Sequence, residues 1–300
     1  MTWSTKAPLL SPRYQGAIGV IGTKLYLMSG RQFGESNTLY EYDQPTDAWV
    51  LKAQMPATRV YPEGGAIGTK LYVAGGSQAD TKDTLYEWDQ ATNVWATKAV
   101  LPAARDGGYT GTIGTKLYYA GGRSSTNDFV AYPGTLYEWD QATNTWATKA
   151  AMPLAVAFGG AAVIGSKLYA VGGFDHTSVV STLYEYDQPT NTWATKAAMP
   201  GPLQLCSATS VGGVIYVAGG AAENTSGTPV ATVYRWDQAT NTWTTETPLP
   251  LVRKDPVAAT IGTEVYVAGG YDGTVATTTL YTMAAAVASV GWSVGRIRIS

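Results

Sequence analysis

A ten-residue segment recurs six times along the 300-residue chain: IGTKLYLMSG from residue 21, IGTKLYVAGG from 67, IGTKLYYAGG from 113, IGSKLYAVGG from 164, VGGVIYVAGG from 211 and IGTEVYVAGG from 261. Successive copies lie 46, 46, 51, 47 and 50 residues apart. Five copies are followed by a second element, TLYEYDQPTDAWVLKA from 38, TLYEWDQATNVWATKA from 84, TLYEWDQATNTWATKA from 135, TLYEYDQPTNTWATKA from 182 and TVYRWDQATNTWTTET from 232. A unit of roughly 48 residues built from short apolar runs and turn residues cannot bury its own faces, so it must stack on copies of itself. The period and the β-rich composition predict propeller blades.

Each unit reads as four strands. In the third they are GGYTGTI, KLYYA before Gly121-Gly122, TLYEWD and TWATKA, with Asn-Thr turning the last pair. The sixth unit lacks its own fourth strand, whereas residues 2–6, TWSTK, match the TWATK of the other units. The N-terminus is therefore expected to supply the outer strand of the last blade and close the ring, which removes an exposed sheet edge.

The diglycine after an apolar strand, followed by a Tyr and later a Trp in each unit, resembles the kelch family over nearly the whole chain. The resemblance implies an all-β, six-bladed propeller of four-stranded antiparallel blades over residues 1–283, with 284–300 left as a C-terminal strand or tail. Ser29-Gly30 replaces diglycine in the first unit, a change expected to be tolerated because Ser is small.

Two repeated features read as structural. Glu and Lys stand eleven residues apart as Glu41 and Lys52, Glu87 and Lys98, Glu138 and Lys149, and Glu185 and Lys196, while the fifth unit carries Arg235 and Glu246. Both signs invert together, as expected of side chains facing each other across a hairpin, where an opposite-charge pair contributes about 0.2–1 kcal/mol. Trp49, Trp95, Trp146, Trp193 and Trp243 occupy one blade position and are expected to pack between blades.

Strand alternation puts the short, repeated turns on one face of the disc and the variable connections on the other. From the diglycine to the next strand these connections run 7, 7, 12, 8, 11 and 8 residues, and their sequences differ freely, which is where a rigid scaffold would display a binding surface. Eight residues before the IG-type turn, Arg13, Arg59, Arg105 and Arg253 stand in four units that are adjacent once the ring closes, while the other two carry Val156 and Leu203. The expectation is a basic arc beside an apolar pair at the channel mouth. Kelch proteins commonly carry Arg here, and the resemblance implies that such positions can line a partner-binding face. Glu63, Asp106 and Asp255 are near enough in sequence to neutralise the arginines locally; the alternative is recognition of an acidic group. Tyr14, Tyr61 and Tyr109 lie nearby and would add aromatic contact.

Composition narrows the function classes. With 20 Lys and Arg against 22 Asp and Glu, the net charge of −2 offers no broad basic surface for nucleic acid. One histidine, His176, in a loop, excludes a multi-His metal site and the copper ligation of galactose-oxidase-like kelch enzymes. The single Cys206 cannot make an internal disulfide and falls in a predicted inner strand, where a buried thiol is the default. No phosphate-binding loop occurs, and no cofactor or metal is expected. An arc of arginines with Tyr and carboxylates loosely resembles sites that handle sialic or other sugar acids on six-bladed propellers, including a kelch-type sugar-acid epimerase. The aspartate boxes of sialidases are missing, since Asp43, Asp89, Asp140, Asp187 and Asp237 fall in hairpin turns.

These readings favour a non-enzymatic binding or scaffold module with a protein partner; carbohydrate or sugar-acid recognition through the Arg arc is the alternative. The start at Met1 shows no classical signal sequence, no run of apolar residues suits a membrane span, and a soluble, cytoplasmic or virion-associated protein is expected. No BTB-like partner domain is expected beside the ring. Asn224-Thr225-Ser226 fits a weak glycosylation pattern. Trp292 and the SVGRIRIS that follows look like a further strand, expected to add to an edge or to join another copy in a homo-oligomer or particle such as a phage decoration or fibre.

Overall fold

The computed structural model describes residues 2–124, 132–223 and 227–286. The glycosylation pattern at 224–226 and the C-terminal strand from Trp292 lie outside these residues. Six four-stranded antiparallel sheets stand around a central channel. In the first blade the strands are Ala17–Ile21, Lys24–Met28, Leu39–Asp43 and Ala48–Leu51, counted outward from the axis. Blades 2 to 5 repeat the order, beginning at Glu63–Ile67, Tyr109–Ile113, Gly160–Ile164 and Ser207–Val211. Blade 6 takes Val257–Ile261, Glu264–Ala268 and Leu280–Ala284 from the end of the chain and Ser4–Lys6 from its start. Ser4 pairs with Thr282 and Lys6 with Leu280, so the ring closes as expected. Among the described residues no helix is long and apolar enough to cross a membrane.

The core is divided among the six seams between blades. Second strands are covered on both faces, which is why KLYVA and its copies read as continuous apolar runs. In the seam between blades 6 and 1, Leu25, Leu27 and Tyr42 pack with Val257, Ile261 and Tyr266, and each other seam has its own cluster. The fourth-strand tryptophans lock the seams: Nε1 of Trp49, Trp95, Trp146, Trp193 and Trp243 donates to a carbonyl just past the outer strand of the preceding blade, at 2.7–2.9 Å. Trp3 does the same toward Thr247 at 3.0 Å, so the N-terminal strand supplies the sixth lock as well as the edge.

The charge inversion is explained by a buried cradle. Glu41 accepts from Lys24 Nζ at 2.6 Å and from Tyr26 Oη at 2.8 Å, with Lys52 Nζ at 3.3 Å. Blades 2 to 4 repeat this around Glu87, Glu138 and Glu185. Arg235 meets Glu246 at 3.0 Å in blade 5. The pairs are diagonal, since Glu41 stands opposite Val50 in the register and reaches Lys52 two residues along. Burial alone would raise the pKa of these glutamates, but the hydrogen bonds from Lys and Tyr and the second lysine outweigh it and hold them below the usual range.

The diglycines carry the chain from the second strand onto the loop face. Gly75 has φ +64°, and a Cβ there would stand 2.4 Å from the Arg105 carbonyl oxygen. Ser29 occupies the same left-handed position with φ 63°. Small size is only part of why it is tolerated: its hydroxyl donates to the equivalent carbonyl, that of Arg59, at 2.6 Å, turning the close approach into a hydrogen bond.

Candidate functional site

The chain segment before each first strand comes up to the channel mouth on the loop face. There Gln15, Tyr61, Gly107, Phe158, Leu205 and Asp255 occupy one equivalent position, all left-handed, with φ between 51° and 62°. The amide of each donates to the carbonyl of its counterpart in the preceding blade, Tyr61 to Gln15 at 3.0 Å and so on round to Gln15 to Asp255 at 3.2 Å. Six backbone hydrogen bonds thus close a circle around the mouth. Left-handed Tyr, Phe, Leu and Gln are uncommon and cost conformational energy, which the circle and the packed seams must hold in place.

The side chains of this circle line a channel cavity of about 390 Å³ walled by the first strands. Tyr61 meets Phe158 edge-on at 5.0 Å between ring centres, and the Arg123 guanidinium lies over Phe158 at 5.3 Å. Arg123 is fixed by Asp106 through two hydrogen bonds of 3.0 and 2.6 Å. Burial works against its charge, but this bidentate pair more than offsets it and raises its pKa. Across the mouth, Gln15 Nε2 donates to Tyr61 Oη at 2.5 Å and to Asp255 Oδ2 at 3.3 Å. Burial pushes the Asp255 carboxyl up to about 7. Glu63 lines the same cavity, and burial together with the charge of Asp106 pushes its carboxyl well above the usual range.

The expected arginine arc is placed differently. Arg13, Arg59, Arg105 and Arg253 are 5, 3, 6 and 0% exposed and do not line the channel. Nη2 of Arg13, Arg59 and Arg105 reaches the Thr of its own blade's TLY element at 3.0, 2.9 and 3.5 Å, and Arg253 Nη1 reaches Thr279 at 2.7 Å. The guanidinium groups of Arg13, Arg59 and Arg253 lie over the ring of the Tyr in the same element. The repeated T-L-Y is thus the socket for the arginine, and Val156 and Leu203 fill the equivalent places with apolar packing. Local neutralisation by carboxylates does not occur: Glu63, Asp106 and Asp255 make no ion pair with these arginines, because the loop turns them toward the channel or, for Asp106, toward Arg123.

Of the three expected tyrosines, Tyr61 is at the mouth. Tyr14 is half-buried on the loop face against Tyr271, 5.4 Å between ring centres. Tyr109 is fully buried in the seam between blades 3 and 4, where its hydroxyl donates to the Gly172 carbonyl at 2.7 Å, so it offers no surface contact. His176 is exposed in its loop. Cys206 is buried just ahead of its strand, not within it, and burial pushes its thiol up to about 12. The circle residues were missed by the sequence reading; the signal that would have found them is a position two residues past the arginine that differs in every unit while its surroundings repeat.

Comparison with known proteins bears on the fold. The solved structure of YjhT superposes with a TM-score of 0.80 over 91% of this chain and 95% of that one, at 18% identity. No curated protein sequence matches the chain. The family model of the KLHDC2/KLHL20/DRC7 Kelch-repeats domain matches residues 63–270, more than two thirds of the sequence. With that match over a closed ring of six blades, five carrying the diglycine and one Ser29-Gly30, the chain belongs to the kelch-repeat family.

Proposed function

We propose that the protein is a non-enzymatic binding propeller that engages its partner with the loop face, centred on the channel mouth. The observation that carries this reading is the contrast within the blades: cradles, tryptophan locks and arginine sockets repeat almost unchanged, while the six circle positions, held in one backbone geometry, carry six different side chains. Around them Tyr14, Arg31 and Phe33 present aromatic and charged groups of the kind that dominate interface energetics, and Phe33 is 99% exposed. The four socketed arginines make no ion pair among the described residues, so their charge is carried into this face from behind and favours acidic groups on a partner. Kelch domains commonly bind proteins, which agrees with this reading.

The test compares three forms of the full chain in capturing partners from a lysate of its source. A loop-face variant with Tyr14→Ala, Arg31→Ala and Phe33→Ala is expected to lose at least about tenfold of the captured material, the loss of roughly 1.4 kcal/mol or more. A turn-face variant with Thr92→Ala and Thr143→Ala is expected to match the unaltered chain. Equal capture by all three, or loss only on the turn face, would refute the assignment.

A further inference from the structure

Glu63, Thr110 and Tyr119 flank the seam between blades 2 and 3. Glu63 opens the first strand of blade 2, and Thr110 and Tyr119 stand opposite each other in the first and second strands of blade 3. The repeat gives their direction. In the seam between blades 1 and 2 the equivalents of Glu63 and Thr110 are Ala17 and Gly64, where a Cβ on Gly64 would stand 2.9 Å from the Ala17 Cβ. Gly160 and Ala208 meet in the same way between blades 4 and 5, at 2.7 Å. The Glu63 side chain therefore faces Thr110, and its charge acts on the Tyr119 hydroxyl.

In the other five seams the Tyr119 position is Leu27, Val73, Ala170, Val217 or Val267, and the Thr110 position is Ile18, Gly64, Ala161, Ala208 or Ala258. Only between blades 2 and 3 are all three positions polar. Thr110 is 8% and Tyr119 0% exposed; Thr110 Oγ1 has no hydrogen-bond partner among the described residues, and Tyr119 Oη has only the Gly108 backbone amide beside it. The Glu63 carboxylate has no hydrogen bond or ion pair there either. Buried polar atoms without partners are uncommon in a folded protein and call for an explanation. Glu63 and Thr110 both line the channel cavity, so the recess opens to the mouth ringed by Tyr61 and Phe158.

We propose that this recess binds the primary ammonium group of a small organic amine that enters along the channel. An ammonium carries three N–H donors and no acceptor, matching three oxygen acceptors of which one is a carboxylate. A hard metal cation wants about six oxygens, and among the described residues no three His, Cys, Asp or Glu side chains converge to hold a metal. The facing aromatic rings of Tyr61 and Phe158 suit the organic body and the approach of a cation. This inference rests on the channel mouth being the binding face.

Binding has a proton signature. Glu63 feels the charge of Asp106, which is paired with Arg123; Tyr119 and Arg105 stand on the blade 3 side, and Tyr109 in the next seam is within reach of the Glu63 charge. Burial and the charge of Asp106 raise the Glu63 carboxyl well above the usual range, and an arriving ammonium favours the carboxylate, so binding drives a proton from Glu63 toward the buffer.

The experiment is calorimetric titration of the full chain with benzylammonium chloride at pH 7, in two buffers of different ionisation enthalpy. Benzyl alcohol, sodium chloride and potassium chloride serve as controls. The expected result is a Kd of roughly 1 mM or tighter for the amine, at least tenfold weaker binding of the alcohol, no competition by either salt, and net proton release. Glu63→Gln is expected to abolish the release and weaken binding about tenfold or more; Tyr119→Phe and Thr110→Val, which preserve shape, should each weaken it about threefold. Unchanged binding in folded Glu63→Gln and Tyr119→Phe proteins, no amine binding by the unaltered chain, or equal competition by sodium or potassium would each overturn the proposal. Partner capture by the same variants separates the two readings: if the recess fails but the loop-face variant still loses its partner, only the amine site is refuted.

Discussion

Replacing Asp255 by Asn should make the protein more stable, and only above about pH 5. Asp255 is 8% exposed at the channel mouth, and its carboxylate has one hydrogen bond, from Gln15, at 3.3 Å. Burial moves its pKa from 3.8 to about 7. A raised carboxyl pKa means that stability is intact below the unfolded value and is lost as pH rises toward the folded one, because the unfolded chain ionises first. Three units at roughly 1.4 kcal/mol each set a ceiling of roughly 4 kcal/mol, reached above pH 7. Asn removes the titration, keeps a carbonyl acceptor for Gln15, and is among the residues most at ease in the left-handed conformation that φ 53° requires. Urea denaturation followed by tryptophan fluorescence at pH 4 and pH 8 measures the effect. The variant should match the parent at pH 4 and exceed it at pH 8 by up to that ceiling. A gain of equal size at both pH values, or a loss at pH 8, would refute the assignment of a buried, charge-averse carboxyl. Some downward slope should persist in the variant, since Glu63 is raised in the same sense.

The glutamate cradles act with the opposite sign: their depressed pKa values give stability that is present above the ordinary carboxylate range and lost as pH falls, and Glu138→Gln should flatten that acid limb in a denaturant series. The same variant should cost about 1–3 kcal/mol at pH 7, because the charged contacts of Glu138 to Lys116 and Lys149 are lost while Lys116 keeps Asp140 at 3.6 Å. Gly75→Ala drives a Cβ into the Arg105 carbonyl at a left-handed position and should lower stability by about 2–4 kcal/mol, seen as a shift in denaturation midpoint. Deleting residues 2–6 removes both the outer strand of blade 6 and the Trp3 lock, and a cooperative transition at the parent's midpoint in that chain would contradict the closure described above.

The fold was legible because its determinants repeat. Six copies of one decapeptide specify blade number, strand order and the vacancy that TWSTK fills, and the inverted Arg235 and Glu246 mark a contact by sequence alone. The arginines were legible as a set but not in place. Their sequence neighbours Glu63, Asp106 and Asp255 suggested pairing, yet the left-handed residue two past each arginine turns Glu63 and Asp255 toward the channel and Asp106 toward Arg123 while the guanidinium folds back onto its own blade's TLY. That turn depends on a backbone conformation carried at Gln15 and Tyr61 by residue types that do not advertise it. The recess was hidden for another reason: Glu63, Thr110 and Tyr119 come from different repeat positions and different blades, and only the register across a seam brings them together.

Closure by the first strand also sets a timetable for biosynthesis. Ser4–Lys6 must wait for Leu280–Thr282, so at about 5–20 residues per second this strand is made roughly 15 to 55 s before its partner exists. During that interval blades can form one after another, but the row ends at both sides in unpaired seams with apolar faces open to other nascent chains. A chaperone that shields the ends of a growing row of blades would therefore matter more for the yield of this protein than one that assists the folding of any single blade.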